Sequence, residues 1–198
     1  MSILHLVIGS NGAGKSTFIS RFLAPLHPGL PFVNADEIAK ERWPNEAEAR
    51  SYEAARIAEA QRTDLIASRT PFIAETVFSH PSKVEFVHTA VGSGFDVHLH
   101  IVMVPEDIAV NRVVTRVQAG GHSVPEAKIR DRYRRLWQLA AEAIPLTYTA
   151  TCYDNSHSSG PRIVARFSSG QPAGSARWPA WSPAELTALW AARGGADA

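Results

Sequence analysis

Ile3-Leu4-His5-Leu6-Val7-Ile8, followed without a break by Gly9-Ser10-Asn11-Gly12-Ala13-Gly14-Lys15-Ser16, is the stretch that decides the fold. The first six residues form a short, mostly apolar run of the kind that makes a buried parallel strand. The next eight fit G-x-x-x-x-G-K-[ST], and a helical pattern begins at Lys15, so the motif lies between a strand and a helix N-terminus, where its mechanism needs it. Glycines let the backbone curl until consecutive N–H groups point inward, and the helix end adds partial positive charge. Such a cradle attracts phosphate. Gly9, Ser10, Asn11, Gly12, Ala13, Gly14, Lys15, Ser16 and Thr17 are therefore expected to hold a nucleoside triphosphate, ATP or GTP, with Lys15 on its β and γ phosphates and the Ser16 hydroxyl on Mg²⁺.

Working outward, a helix over 15–23 breaks at Pro25, and residues 31–34 offer a second short strand. Residues 46–68 read as a long helix with Ala54, Ile57, Ala58, Gln61 and Leu65 on one side. Strand, helix and strand follow at 72–77, 82–91 and 97–104, then helices from Glu106 to about Gln118 and from Pro125-Glu126 to about Ile144. Two further strand candidates cover 150–153 and 162–167. The Ser/Gly/Pro stretch 168–175 reads as flexible, and a last helix is expected with Ser182 as N-cap, Pro183 at its first position and Glu185 three residues after the cap. Alternating strands and helices predict an α/β fold of the P-loop NTPase type: three layers, a mainly parallel sheet and a helical lid. One domain over 1–198 accounts for the length, with a core at about 1–167, a lid at about 112–135 and a C-terminal extension at about 168–198.

Composition narrows the function. Twenty basic and nineteen acidic residues leave a net charge of +1, too small a field to draw the chain to nucleic acid or anionic lipid, so nucleic acid is disfavoured as a partner. No apolar run approaches the ~20 residues that span a bilayer. The single cysteine, Cys152, excludes an internal disulfide and reads as packed in its strand, and Met1 leads into a strand with no secretory leader; both features predict a cytoplasmic protein.

Ligands of parallel α/β sheets sit beyond the carboxyl ends of the strands. Asp36 and Glu75 have that placement. Asp36 is the first choice for a base that accepts a proton from an attacking hydroxyl, and a helix N-cap ahead of Ile38 is its structural alternative. Glu75, with Thr76 beside it, is expected to bind substrate. Either carboxylate can also hold the magnesium shell through water. No strand of four apolar residues ends in an aspartate, which argues against motor-type ATPases.

On a wheel of about 100° per residue, Val110, Val113, Val114 and Val117 fall on one side of the 106–118 helix. Arg112 and Arg116 fall on the other, one turn apart. On the next helix Ile129, Tyr133, Leu136, Ala140 and Ala143 or Ile144 form the buried stripe, with Arg132 on its shoulder, Arg130 the second choice for a site arginine, and Arg134 and Arg135 pointing further out. Gly120-Gly121 is the hinge of the expected lid, Arg116 and Arg132 its catalytic arginines, Arg112 a nucleotide contact, and His122 an incidental loop residue.

Taken together, the P-loop, Asn34-Ala35-Asp36-Glu37-Ile38, Glu75-Thr76-Val77-Phe78-Ser79 and the lid string from Gly120 to Leu136 resemble the zeta toxins and related small P-loop kinases, over roughly 3–155. The resemblance implies a nucleotide-kinase-like fold and transfer of phosphate from ATP to a hydroxyl, in the best-known members a sugar hydroxyl of UDP-N-acetylglucosamine. It implies Lys15 and Ser16 on phosphate and metal, Asp36 as base, Arg116 and Arg132 as lid arginines, and Asn155 near the nucleotide base. Where the toxins carry glutamate, glycine, threonine and then a basic residue, this chain has Glu75-Thr76-Val77-Phe78, so the acceptor stays open. An antitoxin-type protein partner is not demonstrable from sequence. The leading expectation is a small-molecule kinase; the competing ones are a nucleotide-dependent switch or binding module and a polynucleotide-end kinase.

Overall fold

The computed structural model describes residues 2–118 and 124–195; the Gly120-Gly121 hinge and His122 lie outside the described residues. β1 (Ser2–Ile8) runs into the P-loop and then α1 (Lys15–Phe18), which continues as a wide π turn over Ile19–Leu23. β2 (Phe32–Val33), α2 (Ala35–Arg42), α3 (Ser51–Ala67), β3 (Phe72–Thr76), α4 (Ser82–Gly92) and β4 (Phe95–Met103) follow. The chain ends in α5 (Glu106–Gln118), α6 (Glu126–Ala143), β5 (Thr149–Asp154), β6 (Arg162–Ser168), β7 (Gln171–Pro172) and α7 (Ala184–Ala192).

The sheet has seven strands in the order β2-β3-β1-β4-β5-β6-β7. The first five pair in parallel, and β6 and β7 add an antiparallel edge. The α/β expectation with a mainly parallel sheet holds. Side chains of β1 alternate: Leu4, Leu6 and Ile8 join a core with α2, α3, α4, α6 and α7, whereas Val7 packs with Phe18, Ile19 and Ala109 on the opposite face. That alternation, period two on a strand buried on both faces, produces the helix–sheet–helix layering.

Several details differ from the sequence expectation. The long helix begins at Ser51 rather than Glu46, and its buried line is Ala54, Ala58, Arg62 and Ile66, with Gln61 exposed. Val114 is 46% exposed, so the α5 stripe consists of Val110 and Val113 with Val117 packed beside them. Residues 168–175 are not a flexible run: Ser169 and Gly170 take positive φ and turn β6 into β7, and a Cβ on Gly170 would meet Pro145 Cα at 2.8 Å. Ser182 does not cap α7; no side chain caps that helix, and the Ser182 hydroxyl is buried without a partner. Burial of the apolar face decides α7 instead. Leu186 and Trp190 are in the main core, and the Trp190 ring meets Phe167 edge-on at 5.2 Å. Cys152 is fully buried, and burial pushes its thiol pKa up, away from reactivity.

Pairing of β1 with β4 sets His5 opposite His98, and His100 lies one pleat along the same face. His5 Nδ1 is 3.2 Å from His100 Nε2, and the His27 ring lies 4.1 Å from that of His5. Burial, helped by His27 and His98, lowers the His5 pKa to about 4, and burial, helped by His5, His98 and His27, lowers that of His100 to about 3. Both stay neutral when folded but take up a proton when unfolded near their ordinary value of about 6.5. Stability from these two groups is thus present above about pH 6.5 and falls as the pH drops from there toward the lowered folded pKa values. Urea midpoints measured from pH 7 to pH 5 are expected to decline, and the double variant His5→Val, His100→Val to flatten the decline. A slope the double variant leaves unchanged rules this origin out.

Candidate active site

The P-loop takes its shape from contacts on both sides. Gly12 has φ 77, and a Cβ there would sit 2.2 Å from the Ala109 carbonyl oxygen. Gly14, in the left-handed region at φ 87 as the residue before α1, would place a Cβ 2.6 Å from Asn155 Nδ2. A side chain at either position would force the loop off α5 or the turn after β5. Asn155 Nδ2 donates to the Ala13 carbonyl at 2.8 Å, and Arg112 donates to the Asn155 carbonyl at 3.0 Å. Asn155 and Arg112 therefore tie the loop to the end of β5.

Lys15 is 7% exposed, and its Nζ donates to the Ser10 carbonyl at 3.0 Å and lies 3.7 Å from Glu75 Oε1. Burial lowers the Lys15 pKa, opposed by the carboxylates of Glu75 and Asp36. Glu75, at the carboxyl end of β3, also accepts from the Ser16 hydroxyl at 3.0 and 3.2 Å and from Asn34 Nδ2 at 2.7 Å. Parallel pairing of β1 with β3, register Val7 to Glu75, aims this carboxylate at the P-loop. Asn34 is the N-cap of α2: its Oδ1 accepts from the backbone N–H groups of Asp36 at 2.7 Å and Glu37 at 3.3 Å. The cap role considered for Asp36 thus belongs to Asn34, and Asp36 stands in the first helical turn with its side chain exposed.

One cavity of about 640 Å³ runs from the P-loop across these residues. Asn11, Gly12, Gly14, Lys15, Ser16 and Thr17 line it together with Asp36, Glu75 and Thr76, and Arg112, Arg116 and Arg132 reach it from α5 and α6. Arg132 is half-buried, and desolvation lowers its pKa against the pull of Asp36 and Asp131. Arg130 is not part of the site: Glu106, Asp107 and Glu126 engage it. Arg135 pairs with Asp131 on the exposed face.

Sequence reasoning missed Lys40, Arg62, Phe78 and Lys83, which also line the cavity. The signal for Arg62 was present: it continues the four-residue spacing of Ala54 and Ala58. Phe78 is fully buried at φ 62, a conformation rare for an aromatic residue, so the chain after β3 is strained where it lines the cavity.

The residues fit a nucleotide triphosphate and magnesium. The Ser10 hydroxyl and Asn11 Oδ1 are buried in the loop without hydrogen-bond partners, and the Cβ-free glycines leave the loop its concave backbone. Ser16 Oγ and the Glu75 carboxylate are hard oxygen donors side by side. Magnesium commonly keeps several waters and phosphate oxygens as ligands, so one or two such protein donors suffice.

A family model described as an AAA domain matches residues 4–139. The chain belongs to the AAA domain family. The match spans this domain from β1 through most of α6 and so takes in the P-loop, Asp36, Glu75 and all three arginines. A protein of Haemophilus influenzae is 29% identical to this AAA domain over 126 residues, 63% of this chain and 88% of that protein. Among solved structures, a chain of the AvrRxo1-ORF1:ORF2 complex with ATP superposes with a TM-score of 0.67 at 14% identity, over 87% of this chain and 60% of that one. This AAA domain thus spans three fifths of that relative. The PezAT toxin–antitoxin system of Streptococcus pneumoniae gives 0.61 at 14% identity, over 78% and 68% of the two chains. Shikimate kinase from Acinetobacter baumannii in complex with shikimate gives 0.54 at 18% identity, over 80% and 87%. These likenesses show a P-loop kinase-like fold. Among the described residues no helix is long and apolar enough to cross a membrane.

Proposed function

We propose that the chain is an ATP-dependent kinase that transfers the γ-phosphate to a hydroxyl of a small molecule. The observation that carries this reading is one cavity of about 640 Å³ in which the P-loop, Asp36 and three arginines converge. A fold shared with an ATP complex and with a kinase bound to shikimate supports it.

In this reading Lys15 and the P-loop N–H groups hold the β and γ phosphates. Ser16 and Glu75 hold magnesium, which when bound offsets the phosphate charge. The Asp36 carboxylate takes the proton from the acceptor hydroxyl as its oxygen bonds to the γ phosphorus. The bond from that phosphorus to the β–γ bridging oxygen breaks, and ADP leaves. Arg116 and Arg132 spread the charge of the transferring group, and Thr76 stands where an acceptor passes Glu75. Because water competes as nucleophile, closure of α5 and α6 over the cavity favours transfer over hydrolysis. Two of the similar structures are assemblies, AvrRxo1-ORF1 with ORF2 and the PezAT system, which supports a search for a binding partner that restrains the activity.

The test supplies ATP with a panel of hydroxyl compounds and follows both ADP and phosphorylated product. Acceptor-dependent ADP release with stoichiometric product is expected. Hydrolysis at one rate with every acceptor, and no product, leaves a nucleotide switch instead.

A further inference from the structure

Seven basic side chains line the cavity against two acidic ones, Asp36 and Glu75, although the whole chain carries only +1. Lys15, Arg112, Arg116 and Arg132 account for a triphosphate and its transfer. Lys40, Arg62 and Lys83 line the same cavity from outside the P-loop and the α5–α6 arginines. Lys40 has a carboxylate partner, Glu37, at 3.9 Å. Arg62 and Lys83 have none among the described residues, and neither donates a hydrogen bond there. Arg62 is only 8% exposed, so this cation has left bulk water without a carboxylate to replace it. Burial and mutual repulsion lower the pKa of Lys83, and burial lowers that of Arg62; Glu59 opposes both only from beyond ion-pair contact. The guanidinium carbon sits 5.4 Å from the centre of the Phe86 ring, a cation–π contact that does not account for a second cation, Lys83, within its field.

A desolvated cation beside a like charge is costly unless something anionic completes the site. Resting on the kinase reading above, we propose that the acceptor alcohol already bears an oxyanion, phosphate or carboxylate, which Arg62 and Lys83 grip while its hydroxyl faces Asp36. Arginine supplies a planar fork and lysine a point charge, a pairing suited to either group. Phe78, Ala55 and Ala58 also line this cavity of about 640 Å³, whose bounded size, with the near-neutral net charge, favours a compact molecule over a polymer.

The test separates a small-molecule cell extract by anion exchange and incubates the retained and flow-through fractions with the full chain and γ-labelled ATP. Label is expected in a product from the retained fraction, with phosphatase treatment of that fraction beforehand telling a phosphate acceptor from a carboxylate one. Label from the neutral flow-through, or only into added oligonucleotides, overturns the proposal while sparing phosphotransfer. Label from neither the extract nor oligonucleotides overturns the kinase reading and this proposal with it. With the labelled acceptor in hand, Arg62→Met, which keeps an unbranched apolar side chain at this buried position, is expected to raise the acceptor KM about tenfold or more with kcat and the KM for ATP little changed, and Arg62→Lys to recover part of the loss. An unchanged acceptor KM in both Arg62→Met and Lys83→Met, each with a circular dichroism spectrum like that of the parent, refutes the grip.

Discussion

Lys15→Ala is expected to lower kcat/KM for ATP-dependent transfer by about 10²–10³-fold or more. Lys15 is the cation most deeply set in the P-loop, 3.0 Å from the Ser10 carbonyl and 3.7 Å from Glu75. Burial disfavours its charge, and Glu75 and Asp36 restore it. A β–γ phosphate pair offers the same ammonium a stronger partner. Removing it leaves Glu75 held by Ser16 and Asn34, so the fold is expected to survive while the phosphates lose their central charge. Both the KM for ATP and kcat should suffer, measured by steady-state ADP release and by product formation. A variant that retains a third of the activity contradicts this role.

Asp36→Asn is expected to separate binding from chemistry. General-base catalysis commonly contributes about 10²–10⁴-fold, and that is the fall expected in kcat, with ATP affinity nearly unchanged by calorimetry. The helix cap remains, because Asn34 Oδ1 receives the Asp36 backbone N–H at 2.7 Å whatever the side chain. Glu75→Gln has the opposite signature: its carboxylate touches Ser16 and Lys15, so its loss should fall on nucleotide and magnesium affinity. Full transfer by Asp36→Asn reassigns the base, with Glu75 the first carboxylate to test.

What was legible in the chain followed from local rules. An apolar run ending in G-x-x-x-x-G-K-S dictates strand, cradle and helix in order, because the φ values and N–H directions belong to neighbouring residues. Wheel geometry put Arg112 and Arg116 on the face away from Val110 and Val113, and it put Ile129, Leu136 and Ala140 inside, as the structure does. Propensity misplaced Gln61 and left Arg62 out, because a wheel ranks arginine as a solvent residue whereas the cavity makes an interior position polar. The Ser182 capping sequence failed for a related reason: Leu186 and Trp190 set where α7 lies, and burial of those two side chains outweighs one hydrogen bond.

The sequence by itself determined that a glycine-rich P-loop stands between a strand and a helix, which lysine and serine it carries, and that strands and helices alternate around it. Only the tertiary structure decided that Glu75 meets Lys15 and Ser16, that Asn155 braces the loop, that four histidines share one face of the sheet, and that Arg62 and Lys83 end up in one cavity. Those facts depend on strand order, β3 beside β1 and β1 beside β4, which brings together residues tens of positions apart. Local propensity has no access to such pairings, because the free energy that selects them is the burial of both faces of the sheet at once.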